Sequence, residues 1–319
     1  MKYKILFAAS LLFLIAVSCK KNNSSTDTQP PPSPTDTLAD GWKKIVLNEK
    51  PDLFDIFFVN NIGFVVGSST VDKSTDGGNS WNRILSHTNG ISNIGMGSEM
   101  NAAFAVFPNK IVSTHNGGSN FDTVSIADNA VTDIFYITSE VAYAVGKSFW
   151  KTSDGGLHWI KLHDFVNSSL YQTMYFLNDQ TGWVIRMDSL YKTIDGGTNW
   201  QSIITGNQFY PGDGLGVVFF TTPAHGFIAD AYSVDVTTNS GASWNKVYKG
   251  AQYYHDLYFL DENLGYVTDS SSILKTVDGG ATWKKDATVP GTIFLELHFT
   301  DAHHGWACGK DGVVLKYEK

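Results

Sequence analysis

Residues 256–285, DLYFLDENLGYVTDSSSILKTVDGGATWKK, contain the pattern that decides the fold. An alternating run at 257–259 leads through a polar turn to Gly265-Tyr266-Val267. A small-residue turn follows, then the strand-like segment 273–276, and the unit ends in an Asp-Gly-Gly turn with a Trp at 278–283. Short alternating segments separated by turn residues at this spacing predict antiparallel β-structure.

The same unit recurs along the chain, and its Gly/Ala-aromatic step is the easiest marker to follow. The steps lie at Gly63-Phe64, Ala103-Phe104, Ala142-Tyr143, Gly182-Trp183, Gly226-Phe227, Gly265-Tyr266 and Gly305-Trp306, with spacings of 40, 39, 40, 44, 39 and 40 residues. A period near 40 with four strands per unit is typical of propeller blades. The sequence therefore predicts an all-β, seven-bladed β-propeller of four-stranded antiparallel blades.

The two ends of the repeat array complement each other. The last unit stops at residues 313–317 and lacks its final Trp-containing strand, whereas residues 41–45, Gly-Trp-Lys-Lys-Ile, look like that missing strand. We expect the N-terminal strand to complete blade seven, so that the ring closes without exposed sheet edges. The propeller is predicted over residues 42–319.

Six units carry a Ser/Thr-x-Asp-x-Gly-x-x-Trp box, the Asp-box. The acidic or amide positions are Asp76, Asn116, Asp154, Asp195, Asn239 and Asp278, and the aromatic positions are Trp81, Phe121, Trp159, Trp200, Trp244 and Trp283. A carboxylate or amide oxygen can accept hydrogen bonds from following backbone N–H groups, and glycine allows the positive φ of a tight turn. We interpret the boxes as structural turns and not as catalytic sites.

These boxes resemble the BNR/Asp-box repeats of sialidase-type propellers. The longer unit, Gly-aromatic-Ala/Val-Val-Gly followed by Lys-Thr-x-Asp-Gly-Gly-x-x-Trp, is similar to the photosystem II stability/assembly factor-like propellers over residues 42–319. The resemblance implies the propeller fold and, in the photosynthetic members, an assembly chaperone; relatives elsewhere are often lipoproteins.

The N-terminal segment is typical of an exported lipoprotein. Residues 1–18 have Lys2 and Lys4 before an apolar run that is too short to span a bilayer, which predicts a signal peptide. Ala16-Val17-Ser18-Cys19 resembles a bacterial lipobox, so Cys19 is the predicted lipidation site. Residues 19–41 include a Pro/Ser/Thr-rich run that predicts a disordered tether. The predicted location is the bacterial cell envelope, with the membrane and its side undecided; an ordinary secretory signal is the alternative.

Composition and motifs exclude several classes of function. The chain has 23 Lys+Arg against 31 Asp+Glu and no basic stripe, which argues against nucleic-acid binding. Arg83 and Arg186 are its only arginines, too few for the three-arginine clamp of a sialidase. No nucleophile elbow, phosphate-binding loop or zinc-protease motif is present. His225, His303 and His304 are interpreted as turn residues, and we predict no metal, no cofactor and a monomeric propeller.

Propeller geometry places the Asp-box turns on one face and the interblade connections on the other. Aromatic and charged residues cluster in loops of the second face and predict a partner-binding patch. Its candidate residues are Arg186, Phe209, Tyr210, Asp213, Tyr232, Tyr253, Tyr254 and His255. The alternative is that these rings pack over the blade ends.

The residues that open the innermost strands form a second candidate site. They are Asp55, Asn93, Asp133, Thr173, Gly216, Asp256 and Glu296, and together they predict a polar ring at the mouth of the central channel. Four carboxylates there could hold a cation or repel anions. The alternative is a simple polar lining.

The leading functional hypothesis is a non-enzymatic, lipid-anchored binding or assembly module that recognises an envelope protein. One alternative is a glycan-binding lipoprotein that uses the same aromatic patch. Another is a glycoside hydrolase that uses paired carboxylates at the channel mouth, such as Asp133 and Asp256.

Overall fold

Seven antiparallel sheets are arranged around a central channel in the computed structural model. The structure describes residues 35–127, 130–165, 172–186, 189–204, 216–230, 232–250 and 254–319. Residues 35–319 form one compact unit. Within the described part of the chain, no helix has the length and apolar character needed to cross a bilayer.

Each of the first six blades is a four-stranded meander whose strands follow one another in sequence. Blade one contains β3 (Leu53–Val59), β4 (Ile62–Gly67), β5 (Thr70–Ser74) and β6 (Asn82–Ser86); blade two contains β7 (Ile91–Met96), β8 (Ala102–Val106), β9 (Lys110–Thr114) and β10 (Asp122–Ser125). Blade three contains β11 (Val131–Tyr136), β12 (Ala142–Gly146), β13 (Ser148–Thr152) and β14 (Ile160–Asp164); blade four contains β15 (Gln172–Phe176), β16 (Gly182–Arg186), β17 (Ser189–Thr193) and β18 (Gln201–Ile204). Blade five contains β19 (Val217–Phe220), β20 (Gly226–Ala229), β21 (Ser233–Thr237) and β22 (Asn245–Lys249); blade six contains β23 (Tyr254–Phe259), β24 (Gly265–Asp269), β25 (Ser272–Thr276) and β26 (Lys284–Thr288).

Blade seven combines the two ends of the chain, as the sequence predicts. It contains β27 (Phe294–Asp301), β28 (His304–Gly309) and β29 (Val313–Glu318), with a short 3₁₀ turn at Lys310–Gly312, and β2 (Trp42–Val46) as its outer strand. Trp42 pairs with Tyr317 and Val46 with Val313. The inner strand β27 also contacts β3 of blade one, so the ring is closed. The predicted fold class is confirmed.

A short strand, β1 (Thr37–Leu38), adds a fifth strand to the outer edge of blade six. Leu38 lies opposite Ala287. The predicted tether, residues 19–41, overlaps this strand, and the compact unit starts at Thr35 instead of residue 42. Residues 37–38 are ordered because their backbone groups pair with the outer edge of β26. The composition of a segment does not show such a pairing. Cys19 and residues 1–34 lie outside the described residues.

Neighbouring blades pack through stacked aromatic rings. The aromatic residue of a second strand lies on a phenylalanine of the next blade's inner strand: Trp306 on Phe58 at 3.7 Å between ring centroids, Trp183 on Phe220 at 3.6 Å, and Phe227 on Phe259 at 3.5 Å. Such rings bury large apolar areas and dominate the interface energy.

Phenylalanines at the corresponding position of the inner strand also explain the glycine of the Gly-aromatic step where a blade has one, as Phe176 does in blade four. A Cβ on Gly182 would lie 2.5 Å from the Phe176 ring of its own blade. The ring therefore occupies the space that a side chain would need. In blade three, Tyr136 takes the place of this phenylalanine, and Ala142 pairs with it in the position of the glycine.

Blade two departs from the predicted alignment by one residue. Gly63 pairs with Ser74 in blade one and Ala102 with Thr114 in blade two, so Ala102-Ala103 is the equivalent step, not Ala103-Phe104. Phe104 instead contacts Phe64 of blade one, with ring centroids 5.7 Å apart. The prediction aligned Phe104 with the aromatic residues of the other steps and was therefore wrong by one residue. Strand periodicity alone does not show which side of the blade Phe104 faces.

Candidate functional site

The two faces of the propeller have the predicted turn content. On one face each Asp-box turn contacts the turn between the first and second strands, as where Gly77 N donates to Asn61 O at 3.0 Å. On the other face the turns between second and third strands contact the interblade connections, as where His87 N donates to Ser69 O at 2.8 Å. We call the first the Asp-box face and the second the interblade face.

The Asp-box side chains are engaged within their own turns. In blade four, Thr193 Oγ1 donates to Asp195 Oδ1 at 2.9 Å and accepts from the N–H of Gly197 at 2.9 Å. Asp195 Oδ1 also accepts from Asn199 N at 2.9 Å, and Trp200 Nε1 donates to Gly197 O at 3.0 Å. Gly197 has a φ of +85°, which a residue with a Cβ resists.

The degenerate boxes keep the same turn. Asn116 Oδ1 accepts from Asn120 N at 2.8 Å, and Asn239 Oδ1 accepts from Ser243 N at 2.9 Å. In blade one, the hydroxyl and the N–H of Ser80, together with the Ser74 hydroxyl, hold the pKa of Asp76 at about 2. These side chains accept hydrogen bonds within their own turns, which supports their interpretation as structural.

Four ring residues at the channel mouth each connect their blade to the next. Asp55 Oδ2 accepts from Ile94 N at 2.8 Å, Asp133 Oδ2 from Met174 N at 2.8 Å and Asp256 Oδ2 from Leu297 N at 2.7 Å. Asn93 of blade two does the same with Ile134 N, at 2.8 Å. Each side chain thus satisfies a backbone donor of the following blade. These four side chains therefore hold neighbouring blades together, a role that the sequence did not indicate.

In blade five the ring residue is Val217 and not Gly216. Thr173 pairs with Ile185 in blade four, and Val217 pairs with Ala229 in the equivalent position of blade five. Thr173 Oγ1 donates to Gly216 O at 3.1 Å. The repeat between blades four and five is longer than the others, so the sequence alone did not show which residue opens the inner strand of blade five. The acidic arc therefore spans blades six, seven and one, through Asp256, Glu296 and Asp55, and Asp133 lies apart on blade three.

The four carboxyl groups are buried, at Asp55 and Asp256, or half-buried, at Asp133 and Glu296. Among the described residues, no lysine, arginine or histidine forms an ion pair with any of them. Burial raises the pKa of Asp133 to about 6 and that of Asp256 to about 7. Burial, followed by repulsion from Asp256 and Asp55, raises the pKa of Glu296 well above its usual value.

The candidate metal-ligating side chains of the described residues are dispersed. Over the described ranges, no three Asp, Glu, His or Cys side chains converge closely enough to ligate one ion. His304 Nδ1 lies 2.9 Å from Asp301 Oδ2, and His225 Nδ1 lies 3.2 Å from Thr221 Oγ1, both within their own turns. These contacts fit the interpretation of the histidines as turn residues. Cys308 is a buried free thiol.

A layer of aromatic rings lies two residues further along the inner strands. It consists of Phe57, Phe135, Tyr175, Phe219, Tyr258 and His298, with Gly95 at the seventh position. Successive rings touch, with centroids 4.6 Å apart for Tyr175 and Phe219 and 4.0 Å for Phe57 and His298. This layer was not predicted from the sequence, although five of the seven predicted ring residues have an aromatic or imidazole ring two positions further on.

The polar ring and the aromatic layer enclose a channel cavity of about 510 Å³. His298 Nε2 lies 2.9 Å from Phe58 O, and burial lowers the pKa of His298 to about 4. Its imidazole is therefore neutral at pH 7 and donates this hydrogen bond. The inner strands follow the interblade connections, so the polar ring lies towards the interblade face.

The predicted patch on that face is only partly described. Phe209, Tyr210, Asp213 and Tyr253 lie outside the described residues. Tyr254 is 1% exposed and Arg186 6% exposed, with the guanidinium 4.5 Å from the Phe165 ring centroid. Both side chains lie within the blades, so they are not part of an accessible patch, and the burial of Tyr254 fits the alternative that rings pack over the blade ends. Tyr232 and His255 are half-buried.

These features define a closed, seven-bladed Asp-box propeller with a polar-mouthed, aromatic-lined channel. The family model of the photosynthesis system II assembly factor YCF48 matches residues 114–253 and 246–318. The chain therefore belongs to this family. No curated protein sequence matches it.

Solved structures with the same fold include members of this family. One is described as YCF48 bound to a D1 peptide, with 17% identity, a TM-score of 0.74 and coverage of 88% of this chain and 97% of that chain. Another is YCF48 from Cyanidioschyzon merolae, with 18% identity, a TM-score of 0.71 and coverage of 87% and 98%. The GH74 enzyme from Niastella koreensis matches at 13% identity with a TM-score of 0.68, over 86% of this chain and 53% of that chain. Likeness at these identities shows the fold alone.

Proposed function

We propose that this chain is a non-enzymatic binding or assembly module of the bacterial cell envelope that recognises a protein partner on its interblade face. The observation that carries the proposal is membership of the YCF48 family, in which one structure holds a D1 peptide. The D1 peptide is the ligand of that relative, and for this chain it supports a polypeptide as the class of partner.

The contrast between the two faces supports the choice of the interblade face. On the Asp-box face the polar groups of each turn are paired with one another, as in the Thr193–Asp195–Asn199 set. The interblade face leads to a cavity with uncompensated carboxylates and accessible aromatic rings. Concave sites with a few polar groups over aromatic walls are typical binding sites.

The geometry of the ring carboxylates gives little support to hydrolysis. Asp133 accepts hydrogen bonds at both oxygens, from Asn93 Nδ2 and Met174 N, and Asp256 accepts from Leu297 N. A general acid and a nucleophile must instead reach the substrate. Glycan binding remains the alternative for the same face, since sugar rings also pack on aromatic side chains.

Attachment to the envelope through Cys19 is part of the proposal and rests on the leader and the lipobox-like sequence. Growth with a labelled fatty acid should label the wild-type chain and not the Cys19→Ser variant. Equal labelling of both chains would contradict lipidation at Cys19.

The partner is tested by affinity capture with the full chain, offered envelope proteins and envelope polysaccharides. We expect specific proteins to be retained, and their recovery to fall at least about tenfold with Tyr210→Ala and Tyr232→Ala together, since aromatic anchors dominate interfaces. The matched control is Ile194→Ser, an exposed residue of the Asp-box face. Undiminished capture by the double variant would move the partner to another face, and retention of glycan alone would favour the carbohydrate-binding alternative.

A further inference from the structure

The channel cavity has two chemically different levels. At the mouth are Asp256, Glu296 and Asp55 on three consecutive blades, and below them the rings of Phe57, Phe219 and Tyr258 form part of the aromatic layer. These three rings are half-buried, so parts of them face the cavity. A volume of about 510 Å³ lies within the range of about 300–1,000 Å³ that binding pockets have.

The acidic arc has no basic partner among the described residues. Asp55 and Asp256 are each 5% exposed, and each uses one oxygen to accept from the backbone of the next blade. Burial and repulsion from neighbouring acids raise the pKa of Asp256 and Glu296, so both carboxyl groups resist ionisation until a cation approaches. Buried carboxyl groups are ordinarily paired with a cation, and here the described residues supply none. A cationic ligand would relieve this repulsion.

The aromatic layer selects the kind of cation. A small metal ion needs several converging ligands, which the described carboxylates do not provide. An organic cation with an apolar stem can instead contact carboxylates at one level and ring faces at the other. Guanidinium and ammonium groups are attracted to aromatic faces, more strongly when desolvated.

We propose that the channel binds a basic side chain, arginine or lysine, presented by the polypeptide partner. This inference rests on the proposed function, because the side chain belongs to that partner. The stem passes the polar ring, and the charged group lies between the carboxylates of the arc and the aromatic layer. An anionic side chain would add to the repulsion within the arc, and a neutral one would leave its carboxyl groups without a counter-charge.

The test uses N-acetyl-arginine amide as the probe and N-acetyl-citrulline amide as its neutral isostere, with binding to the full chain followed by ligand-observed saturation-transfer NMR. We expect the arginine probe to bind at least about tenfold more tightly than the citrulline probe. Glu296→Gln should weaken arginine binding at least about fivefold, and Phe219→Leu at least about threefold, since the first removes a charge and the second a ring face.

The matched control is Glu262→Gln, which removes an exposed carboxylate from the Asp-box face and should leave arginine binding unchanged. Equal binding of the two probes, or wild-type affinity in Glu296→Gln, would overturn the proposal. If Glu296→Gln lowers the melting temperature, Phe219→Leu decides instead, and unchanged affinity there overturns it as well. Partner capture that persists while the probes fail to discriminate would reject this inference and leave the proposed function standing.

Discussion

Single hydroxyl groups organise the turns of this propeller. The box Thr or Ser is buried, as Thr193 is in blade four, where its oxygen accepts from two backbone N–H groups and donates to the box carboxylate. The carboxylate then accepts from the end of the turn. This explains why Asn replaces Asp in two boxes, since an amide oxygen meets the same donors.

Removing one such hydroxyl tests this account. Thr193→Val keeps the shape but leaves the N–H groups of Asp195 and Gly197 without their acceptor, which should lower the free energy of unfolding by about 1–3 kcal/mol. Urea denaturation followed by tryptophan fluorescence measures the change. The same substitution at the exposed box residue Thr75 is the control and should stay within about 0.5 kcal/mol of wild type. Equal effects at the two positions would contradict the turn model.

At the scale of elements, the strand β2 closes the ring and buries Trp42. The indole packs against Tyr266, Phe299 and Tyr317, and its Nε1 donates to Asp286 at 2.7 Å. Trp42 therefore connects blade six to blade seven in addition to pairing with β29. The neighbouring strand β1 only lengthens one outer edge.

Deleting residues 42–47 should lower the melting temperature of the whole propeller by at least about 10 °C, because the ring opens and a large aromatic side chain loses its burial. Differential scanning calorimetry measures the effect. Deleting residues 35–39, which removes β1, is the matched control and should produce a shift several-fold smaller. A melting temperature unchanged by the first deletion would show that β2 does not hold the ring closed.

For the whole molecule, the ring carboxylates couple closure to pH. Asp256 has an ordinary pKa of 3.8 and a pKa of about 7 in the folded state, chiefly because of burial. The folded state therefore binds this proton more tightly than the unfolded state between about pH 4 and pH 7. The resulting stability is present at low pH and is lost as the pH rises through this window.

Asp256→Asn removes the titration and retains an oxygen for Leu297 N, as Asn93 does for Ile134 N in blade two. Relative to this variant, the wild-type free energy of unfolding should fall by about 1–4 kcal/mol between pH 4.5 and pH 7.5. Urea denaturation at the two pH values measures it. Asp122→Asn, on an exposed outer strand, is the control and should show no such difference. A pH-independent difference between wild type and Asp256→Asn would contradict the coupling.

The sequence by itself determined the blade count, the closure by residues 42–46 and the chemistry of the Asp-boxes. These depend on local patterns: strand period, turn residues and a repeat near 40 residues. The tertiary structure decided what depends on register and on contacts between blades. It placed Val217 in the ring, buried Tyr254 and Arg186, and assembled Phe57, Phe219 and Tyr258 into one aromatic layer. A repeat shows which residues are equivalent, but not which way each side chain turns, because a shift of one residue in a strand exchanges its two faces.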